Sequence, residues 1–229
     1  MKTFGDHLDQ TRQYEQEISE FSYLTKQTHE MRELGVVDGN PIYLFESKSP
    51  NRILVSSGWQ GDEPAGWAAS KVLCKTFSQV SFLPYASPAC FKSRQHRNDY
   101  GKNVDRGWPN TQTPEGIVLN DNLETLINLS REGYISLQED PKRFICYFYG
   151  WKASLELEER IEIKLKQHFP LTEGAKHTAP NGMFAEHLVS HGVKTAIQLE
   201  TPADGSYTIS KRTDCLVDTA SEVIKLLKP

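Results

Sequence analysis

The stretch ILVSSGWQGDEPAGWAASKVLCKTF, residues 53–77, constrains the fold more than any other part of the chain. It opens on a four-residue apolar run, crosses a turn rich in glycine and acids, and enters a long segment at Pro64. A run that short, bounded by turn residues, reads as a buried strand. Proline fits the first turn of a helix, where its missing N–H had no partner to lose. Residues 65–77 therefore continue as a helix, and the whole segment is a strand–turn–helix unit.

The same alternation recurs along the chain. Residues 41–45, 81–86, 134–137, 143–149 and 195–199 read as further strands, with 49–52 as a turn. Helices are predicted over 6–21, 119–129, 155–168, 179–190 and 214–227. The first carries Leu8, Tyr14, Ile18 and Phe21 on one stripe. Residues 88–113 are rich in Gly, Asn, Asp, Arg and Pro and show no period. A segment that long without regular structure is usually functional or disordered. The expected fold class is α/β: a mixed, mostly parallel twisted sheet with helices on both faces, in one domain over 1–229. Such sheets bind ligands at the carboxyl ends of their strands. The chemistry is then expected just after Ser56, Ala86, Leu137 and Leu199.

Composition narrows the classes. With 38% hydrophobic and 24% charged residues the chain reads as soluble and globular. A net charge of −4 argues against nucleic acid or an anionic membrane as the main partner. No run approaches the roughly 20 apolar residues that span a bilayer. The N-terminal residues lack an apolar secretory core, so a cytoplasmic location is expected. Cys74, Cys90, Cys146 and Cys215 are far apart and read as free thiols.

Four segments fall at the strand ends: Gln60-Gly61-Asp62-Glu63, residues 94–109, Leu137-Gln138-Glu139-Asp140, and Leu199-Glu200-Thr201-Pro202. SGWQGDEPAG resembles the metal-binding turn, His-x-x-Glu, of the zinc carboxypeptidase family. That family takes in murein peptide amidases and, more distantly, succinylglutamate desuccinylase and aspartoacylase. NDYGKNVDRGWP is similar to its G-x-D/N-x-N-R-x-F/W-P segment, and SLQED to its S-[LF]-H-[ED]. AIQLETP is similar to the strand that ends in its general-base glutamate. The four motifs come in the family's order over roughly residues 52–205.

The resemblance implies a carboxypeptidase-like fold and a zinc hydrolase acting on a small peptide or an acylated amino acid. It maps the metal ligands onto Gln60, Glu63 and Gln138, the general base onto Glu200, and the substrate-orienting or oxyanion-stabilising arginine onto Arg106. Asp105 stands where the family has Asn; beside Arg106 it would repel a substrate carboxylate and favour an amine. Arg94 and Arg97 are alternatives for a second carboxylate-binding arginine, and Trp108 for a cleft wall. Two of the metal positions hold glutamine instead of histidine. An amide oxygen is a weak donor to zinc and suits harder cations better. Weak zinc binding, a different metal or none are all compatible with that set. Three readings follow: a metal-dependent amide hydrolase, with cell-wall peptides as one substrate class; a binding protein that has lost the metal; and an N-acyl amino acid deacylase. His96 reads as a loop contact, and His187 and His191 as surface residues.

Overall fold

The computed structural model describes residues 4–98, 100–169, 175–203 and 205–227. The elements in chain order are α1 (Phe4–Thr25), β1 (His29–Val37), β2 (Asn40–Ser47), β3 (Ile53–Ser56), α2 (Pro64–Thr76), β4 (Ser81–Leu83) and α3 (Pro88–Ser93). They continue with α4 (Pro114–Asp121), α5 (Leu123–Leu129), β5 (Gly133–Asp140), β6 (Tyr147–Trp151), α6 (Leu155–His168), α7 (Phe184–Ser190), β7 (Ala196–Pro202) and α8 (Ile209–Leu226).

The described strands form one seven-stranded sheet, ordered β1-β2-β4-β3-β5-β7-β6. Its centre, β4-β3-β5-β7, is parallel. The flanks are antiparallel, β1 and β2 on one side and β6 on the other. This is the expected mixed α/β sheet. Parallel strands need crossovers, and α2 supplies one between β3 and β4.

The period of two along each strand divides the interior into two cores. Ile53, Val55, Ile135, Leu137, Ile197 and Leu199 pack beneath α2, α6 and α8. Leu54, Tyr134 and Ala196 face the other way, against Leu119, Leu126 and Phe184 of α4, α5 and α7. Helices thus cover both faces. Each fully buried Leu or Ile contributes about 1.5–3 kcal/mol.

Several elements differ from the sequence expectation. β1 was not expected, because most of its middle residues are exposed and charged. α3 lies inside the segment read as irregular; Ser87 caps it by accepting from Cys90 N, and Pro88 starts it. The expected helix over 119–129 is two helices that meet at Asn122, which ends one and begins the other. α7 is shorter than 179–190, and α8 begins earlier than 214, at a Thr208 cap. Leu8 of the expected α1 stripe lies outside the described side chains, while Tyr14, Ile18 and Phe21 are buried.

Candidate active site

The site arises from a change of chemistry along one face of the sheet. On the side where Leu54, Tyr134 and Ala196 are apolar or aromatic, the next alternate residues are Ser56, Ser136 and Gln198, then Gln138 and Glu200. All five are buried. Strand register sets Ser56 beside Ser136, Ser136 beside Gln198, and Gln138 beside Glu200. Buried polar groups need partners, and here they find one another. Tyr134 and Ser56 share a hydroxyl hydrogen bond of 2.5 Å, and Trp59 Nε1 donates to Ser56 Oγ at 2.9 Å. Gln138 Nε2 donates to Ser136 Oγ and to Asp105 Oδ2, each at 3.0 Å. Gln198 Nε2 donates to Glu200 Oε1 at 2.7 Å.

A cleft of about 510 Å³ opens over this face. Gln60, Gln138 and Glu200 line it with Arg97, Asn103 and Arg106 from the segment after α3. Tyr147 and Tyr149 also line it, and Asp140, Lys142 and Arg143 add charge. Both tyrosines come from β6, whose Tyr147 pairs with Glu200. Nη1 of Arg106 is cut off from solvent and has no hydrogen-bond partner.

The turn between β3 and α2 brings Gln60 and Glu63 to the same place. Gly61 lets it pass against α3: a Cβ there would stand 1.6 Å from the Cys90 carbonyl oxygen. The Gly61 N–H donates to Gln95 O at 2.8 Å, tying the turn to the segment that carries His96. Glu63 is the residue before the first turn of α2 and is 1% exposed. The amide of Gln60 satisfies its surroundings with its nitrogen toward Glu63. It then donates to both carboxylate oxygens of Glu63 and to Gln138 Oε1 at 3.3 Å, while its oxygen accepts from Asn103 Nδ2 at 2.9 Å.

Glu139 braces the same turn. Its Oε2 accepts from Ala65 N at 2.7 Å and its Oε1 from Arg212 Nη1 of α8. Acids crowd this floor, and burial raises their pKa values. Glu63 is pushed well above the ordinary carboxyl range by burial, then by the charges of Glu200, Glu139 and Asp62. Glu200 rises to about 8, chiefly by burial; the Gln198 hydrogen bond and Arg106 oppose this, and Asp140 and Asp105 add to it. Glu139 rises to about 7, again by burial, against the pull of Arg212. Asp105 is raised by burial despite Arg106 and the Gln138 hydrogen bond.

The expected site residues separate into three groups. Gln60, Gln138, Arg97, Arg106 and Glu200 line one cleft, with Glu63 directly behind Gln60. Asp105 is buried beneath Gln138 and accepts from it and from Phe184 N at 3.4 Å. It does not line the cleft and holds the Gln138 amide. Arg94 and Trp108 are not at the cleft. The Arg94 guanidinium lies over the Trp67 and Phe91 rings, at 5.1 and 4.5 Å to their centroids. Arg97 lines the cleft and donates to Gly101 O at 3.0 Å. Trp108 belongs to the core, against Phe184 and His187. His187 is accordingly buried, not on the surface.

A group that the sequence reading did not assemble lies beside Glu63. Donor atoms of Asp62, Glu63 and His96 all fall within 4.8 Å of one another, a set able to hold a metal ion. The adjacent acids of the Gln-Gly-Asp-Glu turn were a visible signal; the approach of His96 was not.

The family position for zinc can be tested against these contacts. Gln60 is hydrogen-bonded directly to Glu63 through its nitrogen, and the Gln138 oxygen faces that same nitrogen. Two amide oxygens and one carboxylate are not the donor set that a catalytic zinc takes, which is histidine and carboxylate with an open position. Gln60, Glu63 and Gln138 do not fit that ion.

No protein-family profile matches the chain, and no curated protein matches it. Solved structures do. A candidate metallopeptidase from Shewanella denitrificans OS217 is 24% identical over 94% of this chain and 90% of its own, with a TM-score of 0.83. A metallo-carboxypeptidase from Burkholderia cenocepacia is 13% identical, covering 90% of this chain and 66% of its own, with a TM-score of 0.71. A succinylglutamate desuccinylase from Silicibacter sp. TM1040 is 14% identical, covering 87% and 66%, with a TM-score of 0.61. These likenesses establish the carboxypeptidase-like α/β fold. Among the described residues no helix is long and apolar enough to cross a membrane.

Proposed function

We propose that the chain hydrolyses an amide bond in a small peptide or acylated amino acid held in this cleft. One observation carries the reading: Arg106 and Glu200, from distant segments, line one cavity, and Arg106 Nη1 is buried without a partner. A guanidinium nitrogen shut off from solvent and left without a partner is poised for a ligand oxygen, either a carboxylate or the oxyanion of the tetrahedral intermediate. Glu200 takes the proton of the attacking water and passes it to the leaving amine. A carboxyl group raised to about 8 is suited to carry a proton near neutral pH. Acids and bases mix around the cleft, where Asp140, Lys142 and Arg143 line the same cavity as Glu200. A ligand carrying both a free carboxylate and an amine suits that lining. Cell-wall peptides in the cytoplasm are one such class, through analogy of fold only.

Incubating the chain with dipeptides, cell-wall peptides and N-acyl amino acids, with products read by mass spectrometry, tests this. Cleavage is expected, and activity confined to N-acyl amino acids would identify a deacylase. Glu200→Gln and Arg106→Met should each lower kcat/KM by about 10²–10⁴-fold.

A second reading is a binding protein on the same fold, favoured by the direct hydrogen bond between Gln60 and Glu63. Ligand binding by calorimetry that depends on Arg106, with no product from any class, would select it over hydrolysis.

A further inference from the structure

We propose that the chain binds one divalent cation on Asp62, Glu63 and His96, displaced from the position that the carboxypeptidase resemblance implies. The inference concerns this site's own donors and stands whether or not the cleft turns over its ligand.

The spacing is that of a coordination sphere. Two donors each about 2.1 Å from a four-coordinate ion stand roughly 3.4 Å apart. His96 Nδ1 lies 3.5 Å from Asp62 Oδ1 and 4.0 Å from Glu63 Oε1. The first separation matches, the second is longer, and all three donor atoms fall within 4.8 Å of one another. The two outer donors are also idle. Asp62 Oδ1 and His96 Nδ1 are both cut off from solvent, and neither makes a hydrogen bond. Leaving such an atom unmet is unfavourable. An ion between them would satisfy both.

The surroundings favour positive charge. Glu63 is buried among the carboxyls of Glu200, Glu139 and Asp62. Gln60 then has a defined part: it donates to Glu63 and accepts from Asn103, as an outer partner that orients a ligating carboxylate. Gln138 donates to Asp105 and Ser136 and reaches this set only through Gln60. The Gly61–Gln95 backbone bond holds the His96 segment against the turn. The His96 side chain remains 40% exposed, which leaves an entry path, and His96 also lines the cleft. One imidazole and two carboxylates select Zn²⁺ or Co²⁺ over Mg²⁺ or Ca²⁺, which prefer all-oxygen sites.

The test uses tag-free, chelator-treated full chain, titrated with ZnCl₂ by calorimetry and with CoCl₂ by visible absorption. One ion per chain is expected. Asp62→Asn and His96→Asn should each weaken Zn²⁺ binding at least tenfold, while Gln138→Met leaves it within twofold. Both weakening changes are at partly exposed positions, and melting of the metal-free variants checks that they fold; Asp62→Ala and His96→Ala serve as a second pair. The proposal is overturned if the wild-type chain binds no ion at about 1 mM. It is equally overturned if either Asp62→Asn or His96→Asn titrates as wild type, or if Gln138→Met loses binding. Because the readout is metal affinity, failure here leaves the hydrolysis assay to be judged separately.

Discussion

Replacing Arg212 by methionine probes how the acid floor of the cleft is held together. Glu139 is 1% exposed and Arg212 7% exposed, so the pair is buried. The Glu139 carboxylate joins three elements: β5, which carries it; the N-terminus of α2, through Ala65 N; and α8, through Arg212. Once Glu139 is ionised, removing Arg212 strands a buried charge, at a cost of up to about 3–5 kcal/mol. For a chain of this length each kcal/mol is worth about 2–4 °C, so in alkaline buffer the melting temperature should fall by up to roughly 6–20 °C. The pH dependence follows from Glu139. Its pKa is about 7 in the fold against 4.5 ordinarily, so folding takes up a proton between those values. Stability from this group is therefore lost as pH rises through that window, in wild type and variant alike. Without Arg212 the folded pKa goes higher still, and the loss continues above pH 7 in the variant alone. The deficit of Arg212→Met should thus widen above pH 7, by up to about 1.4 kcal/mol per unit, and narrow toward pH 5. Urea melts followed by circular dichroism at pH 5, 7 and 8.5 measure it. Adding Glu139→Gln removes the stranded charge and should recover much of the loss. A deficit as large at pH 5 as at pH 8.5, or a double variant no more stable than the single, would refute the reasoning.

Two further outcomes are expected. Gly61→Ala should destabilise the chain by more than about 3 kcal/mol, because the new Cβ meets backbone at Cys90 and the turn cannot yield without moving Glu63; thermal melting and ligand titration read both effects. His29 is buried, with Nε2 donating to Val80 O at 2.7 Å and a pKa held below its ordinary value chiefly by burial. The unfolded chain then takes a proton that the folded chain resists, so stability should fall as pH drops below about 6.5. His29→Gln should flatten that dependence in urea melts across pH 5–8, and an unchanged slope would remove His29 as its cause.

What the sequence revealed of the fold follows from burial. The central strands were legible because both of their faces are covered: β3 is buried at every residue, and a strand like that must read as an apolar run. β1 sits at the sheet edge with Glu30, Met31, Arg32 and Glu33 exposed, so no apolar run announces it. α3 had a local signature, Ser87 followed by Pro88, but at six residues it is too short to show a period. Arg94 and Trp108 were misplaced for a related reason. Both lie in the segment between α3 and α4, where no periodicity says which way a side chain turns, and each found an aromatic neighbour instead of the cleft.

The candidate site was legible wherever a strand delivers it. Gln138 and Glu200 end neighbouring parallel strands, so alternation alone puts them on one face, and register makes them partners. His96 has no such guarantee. Its place depends on Gly61 approaching α3 closely enough to bond Gln95, a contact between segments that no spacing encodes. On the proposed cation site, this is where glutamine at position 60, rather than the histidine that the resemblance implies, takes effect. An imidazole at position 60 would offer its lone pair to an ion, whereas the amide turns its N–H toward the Glu63 carboxylate. That leaves Glu63 as the one strong donor among Gln60, Glu63 and Gln138. Unsatisfied atoms of Asp62 and His96 stand within 4.8 Å of it. On that proposal a cation drawn to Glu63 is met by Asp62 and by His96, which lines the cleft, rather than by Gln138.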